Sequence, residues 1–193
     1  YLIIFRTRTC INEVKVLSCF RKLCKQIPAS NFFFNTRVKK NMKSSTTDLC
    51  GLAFDSQQKF TGGSTALGWE FQRMEAGQSC GVDKLTVRCG SKSIDLLPTR
   101  GMGIWQAQDG DVRFGWDSPV TGPVHPMWVD VSEPSGLGWL DGFDEMLVRC
   151  GLSSNGAPEF DSNGQLIWPL HGRIANLPAS QLSVTIDETD GKI

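Results

Sequence analysis

The sequence predicts an all-β fold, an antiparallel sandwich or barrel, on three observations. From residue 50 onward, glycine or proline interrupts the chain every several residues. Between the interruptions lie short segments in which apolar and polar residues alternate. No long helical period follows Met42. Short alternating strands separated by turn signals are the pattern of sheet packed on sheet.

In chain order, the first 41 residues stand apart. They carry nine Lys and Arg against one acid, Glu13, a net of +8, whereas residues 42–193 carry eleven against nineteen, a net of −8. All 20 glycines, all 6 tryptophans and eight of the 9 prolines lie after Met42. Residues 1–41 therefore read as a basic extension outside the fold, preceding its true start. A targeting segment and a nucleic-acid arm (Arg37, Lys39, Lys40) are the alternatives. The apolar run Leu2–Phe5 is shorter than the roughly 7–15 residues of a secretory core. A short helix over Ile11–Lys25 would place Val14, Leu17 and Phe20 near one face.

The hairpin at Lys84–Leu97 is the clearest element. Leu85, Val87 and Cys89 alternate onto one face, Gly90-Ser91 turns the chain, and Ser93–Leu97 returns. Phe114–Trp116, Met127–Val131, Glu145–Cys150 and Leu182–Ile186 are further strand candidates. Met146–Gly151 echoes Leu85–Gly90, which reads as two similar strand ends rather than a repeat.

The seven cysteines contain no C-x-x-C, and only two histidines are present, which argues against zinc. Cys10, Cys19 and Cys24 fall in the extension. Cys50, Cys80, Cys89 and Cys150 read as reduced, buried thiols of a cytoplasmic protein. No run of 18 apolar residues would span a membrane. A G-x-S-x-G elbow, a P-loop, H-E-x-x-H and a complete dinucleotide fingerprint are all missing.

Chemistry-bearing residues concentrate in Thr121–Ala179. His125 sits in the turn Gly122-Pro123-Val124-His125-Pro126, as a ligand group or a hydrogen-bonded turn residue. Gly138–Glu145 sets Asp141, Asp144 and Glu145 beside Trp139 and Phe143. The aromatics are core or sugar platform, and the acids bind ligand or cap a turn. Pro169–Pro178 puts His171 beside Gly172 and Arg173. The glycine would let a ligand come close, and an exposed imidazole can exchange a proton near neutral pH.

Four stretches carry a resemblance: Leu96–Ile104, with its Leu97-Pro98-Thr99-Arg100-Gly101-Met102-Gly103; Ser118–Pro126; Gly136–Gly151; and Pro169–Asn176. Over about residues 49–187 the chain resembles the aldose 1-epimerase-like (galactose mutarotase-like) proteins, in a bacterial subgroup. The resemblance implies the mutarotase supersandwich, a large antiparallel β-sandwich, with residues 42–193 as its N-terminal part. It also implies a monosaccharide or related carbohydrate as ligand, with no metal and no organic cofactor. The implied reaction is acid–base catalysis on a hemiacetal: a base takes the proton of the anomeric hydroxyl, an acid protonates the ring oxygen, the ring opens, the aldehyde turns over, and closure gives the other anomer.

Leu170-His171-Gly172 resembles the segment that brings a histidine to the sugar, so His171 is the expected catalytic residue. Arg100 resembles the substrate-contacting arginine. His125, Asp141, Glu145 and Arg173 are further substrate-binding candidates from local resemblance and chemistry. In that family the carboxylate base, usually with a second histidine, comes from the later half, so this chain is expected to lack its base and to leave sheet surface uncovered. A non-catalytic sugar-binding or structural β-sandwich is the alternative. Neither nucleic acid nor membrane is expected as partner, and the oligomeric state is left open.

Overall fold

The computed structural model describes residues 44–49, 59–187, 191 and 193. The basic extension, its expected helix over Ile11–Lys25, Cys10, Cys19, Cys24 and Cys50 lie outside the described residues.

Ten strands run through the described chain: β1 (Ser44–Asp48), β2 (Lys59–Gly63), β3 (Leu67–Arg73), β4 (Asp83–Cys89), β5 (Lys92–Leu97), β6 (Gly103–Asp109), β7 (Val112–Phe114), β8 (Glu159–Phe160), β9 (Leu166–Trp168) and β10 (Ser183–Asp187). β2 to β7 form one six-stranded antiparallel meander in sequence order. β1 pairs with β10, and β8 with β9, as separate two-stranded sheets.

Alternation explains the meander. In β3, Leu67, Trp69 and Phe71 are buried, while Glu70 and Gln72 face the other way. In the β4–β5 hairpin, Leu85 and Ile94 continue that apolar face, with Val87 and Cys89 packed against it. The hairpin turns at Gly90, whose φ of 59° is one that glycine adopts without steric cost. Leu182, Val184 and Ile186, alternating along and just before β10, join Leu49 in the same core cluster. The β1–β10 pair thus lies over the apolar face of the meander as a second layer, making a β-rich sandwich.

The opposite face of the meander is polar and cross-linked. Glu70, Thr86, Asp95 and Gln106 stand in register across β3 to β6. Asp95 accepts from Thr86 Oγ1 at 2.6 Å and from Gln106 Nε2 at 2.7 Å, so its buried carboxylate is hydrogen-bonded. Between β5 and β6 the register slips, from Asp95↔Gln106 to Leu96↔Ile104, and Trp105 is left without a partner residue. Such a bulge re-aims its side chain, here toward the loops that follow β7.

Those loops depart from the sequence expectation. Met127–Val131 is not a strand. Pro126–Trp128 forms a 3₁₀ turn, with Pro126 at its first turn and His125 Nδ1 accepting from Met127 N at 3.1 Å. Proline and a capping side chain favour a helical start over an extended run. Glu145–Cys150 is not a strand either; one bridge joins Leu147 to Ile104. Its alternation points the wrong way for a sheet face, since Glu145 is fully buried and Leu147 is half-exposed. The echo of Leu85–Gly90 in Met146–Gly151 is therefore not two strand ends.

Other expectations land close. The strand expected at Phe114–Trp116 ends at Phe114 and starts at Val112, and that expected at Leu182–Ile186 is β10. The described cysteines are free thiols, but Cys80 and Cys150 are exposed and Cys89 is half-buried. Burial was the wrong expectation for the first two, which sit beside turns.

Candidate active site

The loops after β7 gather around one buried cation. Arg100, in the tight turn between β5 and β6, is 1% exposed, and Glu145 is 0% exposed. Arg100 Nε donates to Glu145 Oε1 at 2.8 Å, and Nη2 reaches Glu145 Oε2 at 3.5 Å. Nη1 donates to Val124 O at 3.2 Å and Asn176 Oδ1 at 2.7 Å, and Nη2 to Gly142 O at 2.6 Å. All five N–H bonds of the guanidinium are thereby directed at acceptors from three loops.

Local sequence makes this convergence possible. Gly142 stands so close that a Cβ there would lie 2.7 Å from Val129 Cγ2 and 2.8 Å from Arg100 Nη1. Gly101, at φ 59°, brings the turn against Ile174 O, 2.4 Å from where a Cβ would be. Only glycine meets both requirements at that position.

The charge count at this point is uneven. Asp144, beside Glu145, is 6% exposed. Its Oδ2 accepts from the bulged Trp105 Nε1 at 3.1 Å, and its Oδ1 has no hydrogen-bond partner among the described residues. Burial, and next the Glu145 charge, push its carboxyl up to about 6, against the pull of the Trp105 hydrogen bond and of Arg100. Asn176 Nδ2 and Trp139 Nε1 are likewise buried without partners among the described residues.

An aromatic row leads to His171. Trp116, 39% exposed, meets Phe143 at 5.0 Å between ring centroids; Phe143 meets Trp139 at 4.7 Å; and Trp139, 4% exposed, meets His171 edge-on at 4.9 Å. His171 is half-buried with φ 55°, a left-handed conformation costly for a side chain bearing a Cβ. Its Nδ1 accepts from Gly156 N at 3.2 Å, with Asn155 Oδ1 at 3.3 Å. The Gly156 bond needs an unprotonated Nδ1 and the Asn155 contact a protonated one, so the two favour opposite tautomers; Nε2 makes no hydrogen bond with any described residue. Gly172 does not open a path for a ligand as its sequence position suggested. A Cβ there would meet Ser154 O at 2.9 Å, so the space is filled by backbone.

The sequence candidates fall into two groups. Arg100 and Glu145 are buried and satisfy each other. Asp141 and Arg173 are exposed, and their side chains make no hydrogen bond or ion pair with a described residue. His125 is half-buried and its Nδ1 is engaged by its own turn. Arg100 binds them indirectly: it holds the carbonyl preceding His125, the carbonyl following Asp141, and Asn176, which closes the 3₁₀ turn capped by Arg173. Trp139 and Asp144 were candidates from sequence, whereas the part played by Asn176 was not. Asn176 is adjacent to the Arg173 motif, but its partner is 76 residues away. No group of three or more His, Cys, Asp or Glu among the described residues could hold a metal ion. No helix among them is long and apolar enough to cross a membrane.

Comparison with known proteins bears on this arrangement. The family described as "Domain of unknown function (DUF4432)" matches residues 79–193, which includes Arg100, the aromatic row and His171. Among solved structures, the chain is similar to a "putative aldose 1-epimerase" from Klebsiella pneumoniae subsp. pneumoniae MGH 78578, with a TM-score of 0.63 and 32% identity. The likeness covers 74% of this chain and 39% of that one, so the chain spans well under half of its neighbour's length. No curated protein matches.

Proposed function

Because this chain belongs to the DUF4432 family and shares the β-rich fold of aldose 1-epimerase-like proteins, we propose that its complete form binds a monosaccharide or related carbohydrate and interconverts its anomers or epimers by acid–base catalysis. The observation that carries the reading is His171. Its imidazole is oriented by the Gly156 N–H at Nδ1 and by the edge-on Trp139 ring, and its Nε2 makes no hydrogen bond with any described residue. A neutral imidazole with one fixed and one free nitrogen can give or take a proton at a ring oxygen or a hydroxyl.

Arg173 and Asp141 supply an exposed cation and anion for sugar hydroxyls, and Trp116 offers an exposed aromatic face. Arg100 and Glu145 act by holding the loops rather than by touching the sugar. His125 stands at the edge of the same loop set. The carboxylate that completes the acid–base pair comes from outside the described residues.

One observation favours the non-catalytic sugar-binding alternative: the fully buried charge pair of the region, Arg100 with Glu145, is spent on itself rather than offered to a ligand. Anomerisation of a panel of aldoses, followed by polarimetry on the full protein, separates the readings. Acceleration that is lost in His171→Ala supports catalysis. Saturable sugar binding by calorimetry without acceleration supports binding alone. No binding and no acceleration would sink both.

A further inference from the structure

Two carboxyls and one cation are buried together, and the cation is already committed. Every N–H of Arg100 points to Glu145, Val124 O, Asn176 Oδ1 or Gly142 O, and none to Asp144. Asp144 is 6% exposed, and among the described residues its Oδ1 has no hydrogen-bond partner and its only hydrogen-bond donor is the Trp105 indole. The groups that face it can be named. Glu145 is its chain neighbour and Arg100 approaches from the β5–β6 turn. Lys84 lies behind Trp105, 6.0 Å from the ring centroid. Gly122 comes from the turn before His125, where a Cβ would fall 2.6 Å from Asp144 Oδ2. Ionising Asp144 would bury a second anion against a pair that is already neutral, with the Trp105 indole as its one donor among the described residues.

We propose that Asp144 is a pH-responsive positioning residue: while it holds its proton, Arg100 grips the three site loops, and when it releases the proton to water, its charge competes for Arg100 and loosens that grip. The loops concerned carry His125 and Asp141, so the protonation of one buried carboxyl sets how the outer residues are presented. The same burial and the same Glu145 charge that raise the Asp144 carboxyl to about 6 place the change in the mildly acidic range. The inference does not depend on sugar turnover and can stand if the catalytic reading falls.

The test is nuclear magnetic resonance on the full chain. The Asp144 side-chain carboxyl carbon should titrate with a midpoint near 6, well above the ordinary 3.8. The Trp105 indole N–H and the backbone amides of His125 and Phe143, whose peptide carbonyls belong to Val124 and Gly142, should shift with the same midpoint. In Asp144→Asn these three signals should stay flat at their low-pH positions. In His125→Gln and His171→Gln the titration of the remaining probes should persist, which separates Asp144 from the imidazoles. An Asp144 midpoint near 4 would overturn the proposal, as would a midpoint near 6 that leaves the His125 and Phe143 amides still. If Asp144→Asn does not fold, Trp105→Phe decides. It removes the hydrogen bond that favours the charged form, so the midpoint must rise and the two amides must follow it; an unmoved midpoint refutes the idea.

Discussion

Replacing Arg100 by methionine should be among the most damaging single changes in this domain. The substitution keeps most of the side-chain length and removes the charge. It leaves Glu145, fully buried, without its counter-ion, and it strips Val124 O, Gly142 O and Asn176 Oδ1 of their donor. Breaking a buried ion pair by removing one partner costs roughly 3–5 kcal/mol, and each orphaned buried acceptor adds about 1–3 kcal/mol if water does not reach it. Relaxation and protonation of Glu145 would recover part of that, so we expect about 4 kcal/mol. The assay is urea unfolding at pH 7, with the midpoint and slope fitted together. Adding Glu145→Leu to Arg100→Met should restore at least about 1 kcal/mol, because an apolar pair is better tolerated than a lone buried anion. A loss below about 1 kcal/mol in the single variant would refute the account, since it would mean that water already reaches these loops.

Other consequences are open to direct measurement. Gly142→Ala should cost about 1–3 kcal/mol by overpacking, because its Cβ would press on Val129 and on Arg100; thermal unfolding reads this. Leu97, fully buried, should cost about 2–5 kcal/mol when cut to alanine. Asp144 has a folded pKa above its unfolded value, so the folded form binds more protons and stability should fall as pH rises from about 4 to 6. The shift corresponds to at most about 3 kcal/mol. Asp144→Asn should remove that slope, and a denaturation series with an unchanged slope would contradict it. The edge strand β7 exposes Val112 and Phe114, so the isolated domain should self-associate and Phe114→Lys should reduce this in sedimentation velocity. A compact monomer before mutation would count against it.

The sequence made some of this legible and hid the rest for physical reasons. The β4–β5 hairpin was readable because its faces alternate and its turn has a glycine in the one conformation that glycine favours. β3 carries the same signal, with Leu67, Trp69 and Phe71 alternating against Gly68, Glu70 and Gln72, though Gly68 inside it reads as punctuation. Met127–Val131 misleads because apolar residues in a proline-started turn look like a strand. His171 and Arg100 stand out through their motifs, but the burial of Arg100 could not be read from its neighbours. Its acceptors lie 24 to 76 residues away along the chain, and only the folded loops bring them within reach. For the same reason Asp144 looks equivalent to Asp141 in the sequence, whereas one is enclosed and the other is wet.

The pairing of β1 with β10 bears on how the molecule is made. Thr46 and Thr185 touch although they stand 139 positions apart, so a ribosome must have released nearly everything between them before the second layer can form. Until then the meander can zip up from neighbouring hairpins, but its greasy side has no lid. Contacts of such long range are slow to reach because the chain must first give up the entropy of a very large loop. A nascent chain halted before Ser183 should therefore linger as a half-made, chaperone-binding species, and release of the β10 segment should convert it abruptly.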